Sequence, residues 1–386
     1  MESESSDEVE FPPIDDVHAF MMLTPVPMIL EELDYTKIFG KTEEAEFLNE
    51  GRHEMQLAIK EHFTNIKLCL TSAQTYLDRL SSVEGVLHKK KGTIKWGKMF
   101  TSLGKENLKI KIKERSHIKV EIYMVLFSMA IFHKIYAERI ICKTTDDDIE
   151  ETKERIKESC GHIKEAVSII KFLSLRIPEV FEFPIKDAST LSVMFKDYNK
   201  YLLSILDVHF HMIQVEYPFE KKMAYELASK MMSHCALMME ESVKPNLKSF
   251  REHYKKPKEI DLAYNYANIL HNLCIALKWL ARGLNHHKSG EKESCYSAIN
   301  EAKNIGQKCY DCFEDATSRA ENYYFKYIER WLEYIAAVYD YFKGYADNVD
   351  YCSMESLYSG PIFEDINLLE KKEKIEPIEI ENWPRL

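Results

Sequence analysis

The chain has 386 residues, a formal net charge of −11 and 45% apolar residues. This composition allows a packed core, argues against a disordered chain, and the acidic balance argues against general nucleic-acid affinity. Nine cysteines at irregular positions do not suit a secreted disulfide framework, and no apolar run approaches the ~18 residues that span a bilayer. The first residues also lack a basic-then-apolar leader, so a cytoplasmic protein is expected.

Residues 1–10 are acidic and Ser-rich and read as a disordered tail, leaving 11–386 as one domain. From Phe11 to Gly40 the chain reads as irregular, because Pro12, Pro13, Pro25 and Pro27 break any long helix. Glu43–Ser82 has a helical pattern. Two alternating polar/apolar segments follow, Thr93–Thr101 and Leu108–Lys113, and these predict a β-hairpin. Between Lys89 and Lys119 there are 11 Lys/Arg against Glu106 and Glu114. Lys89, Lys90, Lys91, Lys109 and Lys111 therefore mark a basic region, 89–119. It reads either as a solvated hairpin edge, where lysines block strand pairing, or as a patch for anionic lipid headgroups or an acidic partner.

Helices are predicted at 117–142, 147–174, 187–216, 219–242, 259–286, 291–316 and 318–344, with an extended tail over 345–386. The spacing carries these assignments. Tyr266, Leu270, Leu273, Leu277, Leu280 and Leu284 form one apolar stripe, and Cys295, Ala298, Ala302, Ile305, Cys309 and Cys312 another. A third is Tyr324, Ile328, Trp331, Ile335, Val338 and Phe342, and Gly290 lets the chain reverse between the first two. Such stripes with short links describe antiparallel helices stacked as in tetratricopeptide solenoids, whose faces bind extended or helical peptides.

Little in the chain suggests catalysis. Cys309-x-x-Cys312 lies on an apolar stripe, so burial explains it better than zinc, which would need two more ligands. His209-x-His211 cannot share a helix face, and His286-His287 reads as a solvated turn. There is no Gly-rich phosphate loop, no HExxH and no nucleophile elbow. A non-enzymatic protein without cofactor, metal, nucleic acid or small-molecule substrate is expected.

The segment 187–216 carries two apolar stripes. Leu191, Phe195, Tyr198, Leu202, Ile205 and Met212 form the first; Leu203, Leu206, Phe210 and Ile213 form the second. Over 219–242, Ala224, Ala228, Met231, Cys235 and Met238 form a long stripe, and Phe219, Met223 and Leu227 a short one. A doubly apolar helix is either buried on both sides or offers one side to a partner. On the second reading, Leu206, Phe219 and Met223 line a groove for an amphipathic helix.

Ile94-Lys95-Trp96-Gly97-Lys98-Met99-Phe100, a second short strand, and Glu121-x-x-x-Val125-Leu126-Phe127-x-x-Ala130 stand in an order that resembles the Bro-one (BRO) domain family of endosomal sorting scaffolds. Thr190-Leu191-Ser192 and Met223-Ala224-Tyr225-Glu226-Leu227-Ala228 resemble family segments as well, and Arg52 sits where the family's first long helix often carries a basic residue. Ala346-Asp347-Asn348-Val349-Asp350-Tyr351 is similar to the family's exit from its last long helix.

The resemblance implies an all-α fold with one small β-hairpin: an elongated, curved, boomerang-like array of antiparallel helices with a tetratricopeptide-like core. It implies an adaptor recruited to endosomal membranes, in multivesicular-body or membrane-remodelling pathways. Such an adaptor binds the C-terminal amphipathic helix of an ESCRT-III (charged multivesicular body protein) subunit on its concave face. The family's three apolar contact positions fall on Leu206, Phe219 and Met223, and its acidic contact on Asp146. A neighbouring family lysine falls on Glu150, an opposite charge. Two other functions remain open: an adaptor for an unrelated helical peptide, and a peripheral protein binding anionic membrane through the basic hairpin.

Overall fold

Each long segment that carries an apolar stripe is helical in the computed structural model. The structure describes residues 34–62, 65–83, 93–96, 108–111, 117–142, 149–180, 196–220, 224–253, 257–317 and 323–343. In chain order these are α1 (Tyr35–Phe39), α2 (Glu43–His62), α3 (Ile66–Val83), β1 (Thr93–Trp96), β2 (Leu108–Lys111), α4 (His117–Cys142) and α5 (Ile149–Val180). There follow α6 (Lys196–Glu220), α7 (Tyr225–Met238), a π-helical turn (Met239–Val243), α8 (Lys244–His253), α9 (Pro257–Lys288), α10 (Lys292–Thr317) and α11 (Tyr323–Lys343). The tail 1–10, the segment 345–386 and residues 187–195 lie outside the described residues.

Caps and breaks account for the departures from the sequence expectation. α1 falls inside the stretch read as irregular; five residues are too few to show a stripe. It forms because the Asp34 carboxylate accepts from the Thr36 N–H at 3.0 Å and Gly40, at φ 91°, ends it. The helix expected over 43–82 is two helices. Asn65 starts the second, its side-chain oxygen accepting from the Leu68 N–H at 3.2 Å.

The hairpin pairs antiparallel, with Ile94 opposite Ile110, Lys95 opposite Lys109 and Trp96 opposite Leu108. Alternation along the ladder sets Lys95, Lys109 and Lys111 on one face and Ile94, Trp96, Leu108 and Ile110 on the other. The outer parts of both expected strands, with Lys89, Lys90 and Lys91, lie outside the described residues.

Consecutive helices pack on one another from α2 to α7, α9 packs on both α7 and α10, and α11 packs on α10 and reaches back to α4. This is the all-α array of antiparallel helices. α4 is its centre: every residue from Glu121 to Phe132 is buried, so it is apolar on all sides. α6 is sandwiched in the same way by α5, α7 and α8. α9 and α10 approach closely at Gly283, where an added Cβ would meet Ile299 at 2.5 Å, and Gly290 at φ 80° makes the turn between them.

The helix expected over 219–242 is also revised. α7 gives way at Met239 to a widened turn in which the Lys244 N–H bonds the Met239 carbonyl, five residues back. Pro245, lacking an N–H, follows at the second position of α8, a helix the sequence reading left out. Met239, Val243, Leu247 and Phe250 carry one buried stripe through the junction.

Two interior polar clusters tie helices together. Arg52 donates its Nε–H to Glu121 Oε1 at 2.8 Å, and the Tyr76 hydroxyl donates to the same oxygen at 2.9 Å. Tyr35 completes the chain with a 2.8 Å hydroxyl contact to Tyr76, which joins α1 through α4. In the second cluster Lys134 donates to Glu138 Oε2 at 2.9 Å, while His209 lies 3.4 Å from Glu138 Oε1 and 3.2 Å from the Tyr266 hydroxyl. The sequence showed no such group of titratable side chains. All four are buried and bind one another, so the group works as a clamp between α4, α6 and α9.

Candidate docking site at the α6–α7 corner

The corner is built by an abrupt change of direction. α6 runs through Pro218 to Glu220, and α7 starts at Tyr225 after Ala224, which adopts the left-handed conformation (φ 56°, ψ 33°) and supplies no side-chain cap. Phe219 therefore belongs to the end of α6, not to the start of the following helix. Its ring packs against Tyr225 (centroids 5.9 Å apart), Trp331 (5.2 Å) and Tyr334 (6.2 Å), joining α6, α7 and α11.

This cluster has a dry interior and a wet edge. Phe219 and Trp331 are 4% and 6% exposed, whereas Tyr334 and Leu227 are 37% and 48% exposed. The Trp331 indole N–H is buried without a hydrogen-bond partner, a cost of about 1–3 kcal/mol that the aromatic packing offsets. Burial, with Tyr334 nearby, raises the Tyr225 phenol above its ordinary pKa.

The open strip expected from Leu206 through Phe219 to Met223 does not exist in that form. Leu206 is 1% exposed and sits in the core. It lies thirteen residues before Phe219 on the same helix, about 20 Å away along the axis and turned about 140° from it. The physical reason is the sandwiching of α6, which leaves neither stripe free, and the return of α11 over its C-terminal end. Met223 and Asp146 lie outside the described residues, and Glu150 falls in the first turn of α5. The sequence reading missed Tyr334. It stands one turn after Trp331 but off the apolar stripe, so periodicity alone could not flag it.

The other singled-out residues resolve simply. Cys309 is buried, and burial pushes its thiol up to about 12, but Cys312 is exposed rather than on the inner stripe. His209 and His211 do point apart, His209 to Tyr266 and His211 to His234. His286 and His287 lie in the last turn of α9 rather than in a loop; His286 pairs with Glu291 at 2.7 Å and His287 packs edge-on to Phe342. His133 and His162 stand with their Nδ1 atoms 2.8 Å apart, and burial followed by His162 lowers His133 to about 4. Among the described residues no three His, Cys, Asp or Glu side chains are placed to hold a metal ion. No helix among them is long and apolar enough to cross a membrane.

No family model and no curated protein matches the sequence. Solved structures do resemble this one. ALIX in complex with the SIVmac239 PYKEVTEDL late domain is similar over 88% of this chain, with TM-score 0.58 and 15% identity. An ALIX BRO1–CHMP4C complex is similar over 85% with TM-score 0.57 and 14% identity, and a Bro1 domain solved for endosomal targeting over 88% with TM-score 0.51 and 13% identity. This chain spans about half of the first (47%) but 88% and 95% of the other two. The helical array therefore has the fold of the Bro-one domain.

Proposed function

We propose that this protein is a non-enzymatic scaffold of endosomal sorting that binds the C-terminal helix of an ESCRT-III subunit at the α6–α7 corner. The observation that carries the reading is the aromatic cluster around Phe219, open at Tyr334 and Leu227, in a fold that a solved relative presents in complex with CHMP4C. Phe219 backs the site from within, Met223 and the exposed Tyr334 and Leu227 take the partner's apolar side chains, and Asp146 and Glu150 face its polar side. Leu206 shapes the core behind it. The protein works in the cytoplasm and is recruited to endosomal membranes.

Titration of the full chain with ESCRT-III tail peptides tests the reading. Binding in the micromolar range, abolished by Met223→Asp and by Tyr334→Asp in folded protein, is the expected outcome. Failure of every tail to bind overturns it.

A second reading rests on the hairpin register, which sets Lys95, Lys109 and Lys111 on one face within the basic segment that includes Lys89, Lys90 and Lys91. That face suits anionic headgroups. Liposome binding that survives Lys109→Glu/Lys111→Glu rules it out.

A further inference from the structure

α9 lies in the one long part of this acidic chain that has no acid. From Leu262 to Gly290 there is no Asp or Glu, although the protein has 63 of them. The face of α9 that α7 and α10 leave partly accessible carries Asn272, Ile275, Lys278, Arg282 and Asn285, all half-buried. These positions fall within one arc of the helix and cover about 20 Å along its axis.

The centre of the stripe is cationic. The Lys278 ammonium lies 5.3 Å and the Arg282 guanidinium 5.4 Å from the ring of Trp279, which is itself 1% exposed. Two like charges one turn apart repel each other. Burial and Arg282 together hold Lys278 below its ordinary pKa. Acids do meet this face at its two ends, where Glu240 lies 3.3 Å from His271 and Glu291 lies 2.7 Å from His286. A second anion at the centre would relieve the repulsion and match the charge.

We infer that the Asn272–Asn285 face of α9 is a binding track for an extended acidic peptide, whose carboxylates pair with Lys278 and Arg282. A peptide fits better than a membrane surface because both cations are half-buried along a helix, where a flat bilayer does not reach. Asn272 and Asn285 add amides able to bond a peptide backbone on either side, and Ile275 offers an apolar contact. Arg282 adds the planar fork that suits carboxylates. This track is separate from the α6–α7 corner and does not depend on the function proposed there.

The test uses full-length protein neutralised at the hairpin (Lys89→Gln, Lys90→Gln, Lys91→Gln) and fluorescein-labelled decaglutamate, followed by anisotropy. Saturable binding that weakens with salt is expected, with decaglutamine inert. Lys278→Gln/Arg282→Gln should weaken binding about tenfold or more, and Asn272→Asp/Asn285→Asp, which leaves both cations in place, should weaken it in the same direction. Lys278→Glu/Arg282→Glu should release decaglutamate and bind decalysine. Equal affinity in the wild type and in any of these variants that retains its helical circular dichroism overturns the inference. So does capture of phosphatidylserine vesicles through Lys278 and Arg282 in preference to decaglutamate.

Discussion

Arg52 and Glu121, 69 positions apart in sequence, form an ion pair of 2.8 Å in which the two side chains are 3% and 0% exposed. The pair explains two sequence features that stood apart, the basic residue on the first long helix and the glutamate that opens the Glu-x-x-x-Val-Leu-Phe run. Removing one partner leaves a charge in the interior. Arg52→Met should destabilise the domain by roughly 3–5 kcal/mol in urea unfolding, and Tyr76→Phe by about 1 kcal/mol. If Arg52→Met and wild type unfold at the same urea concentration, the pair contributes nothing.

Phe219 and Leu227 separate support from contact. Phe219→Ala should cost about 3–5 kcal/mol through the cavity it leaves beside Trp331, while Leu227→Ala should stay within about 0.5 kcal/mol. The peptide affinities should run the other way, with folded Leu227→Ala weakened. A Phe219→Ala variant as stable as wild type would mean that the ring lies outside the core.

Ala224 holds a left-handed backbone that a Cβ disfavours. Ala224→Gly should stabilise the chain by about 0.5–1 kcal/mol, the relief of strain exceeding the added freedom of the unfolded chain. A lower thermal midpoint in this variant would show that the corner is unstrained.

His133 should make the fold acid-sensitive. Its pKa falls to about 4 in the folded chain against 6.5 as a free side chain, so the unfolded state binds the proton more readily. The stability present at neutral pH is lost as pH falls from about 6.5 toward about 4, on the order of 3 kcal/mol in all. His133→Phe should flatten this limb of the stability profile. A profile as steep as that of wild type would assign the acid response to other groups.

Cys312 should react with a maleimide in the native protein, while Cys309, buried and with its thiol pushed up to about 12, should react only on unfolding. Mass mapping of the labelled peptides gives the answer, and early labelling of Cys309 would place it at the surface.

The helices from α9 to α11 were legible because each keeps one stripe for several turns, and the stripe residues Leu273, Leu277, Ala298, Ile328 and Ile335 are buried as periodicity implies. Ends and junctions were not. Asp34, Asn65 and Pro245 act through single backbone bonds, which leave no periodic trace. The docking site was half legible for the same reason. Apolar surplus on 187–216 identified a helix with two buried sides, yet nothing local says that α11 returns over Phe219, a contact made across more than a hundred residues. Tyr334 thus became visible through tertiary packing alone.

The π-helical turn at Met239–Val243 sets the phase of what comes after it. One extra residue in the turn advances the chain by about 100°, and this keeps Leu247 and Phe250 pointing inward in line with Met239. Deleting Glu241 would restore a regular helix and swing that pair toward water. An insertion of a single amino acid thus decides which side of α8 is the inside.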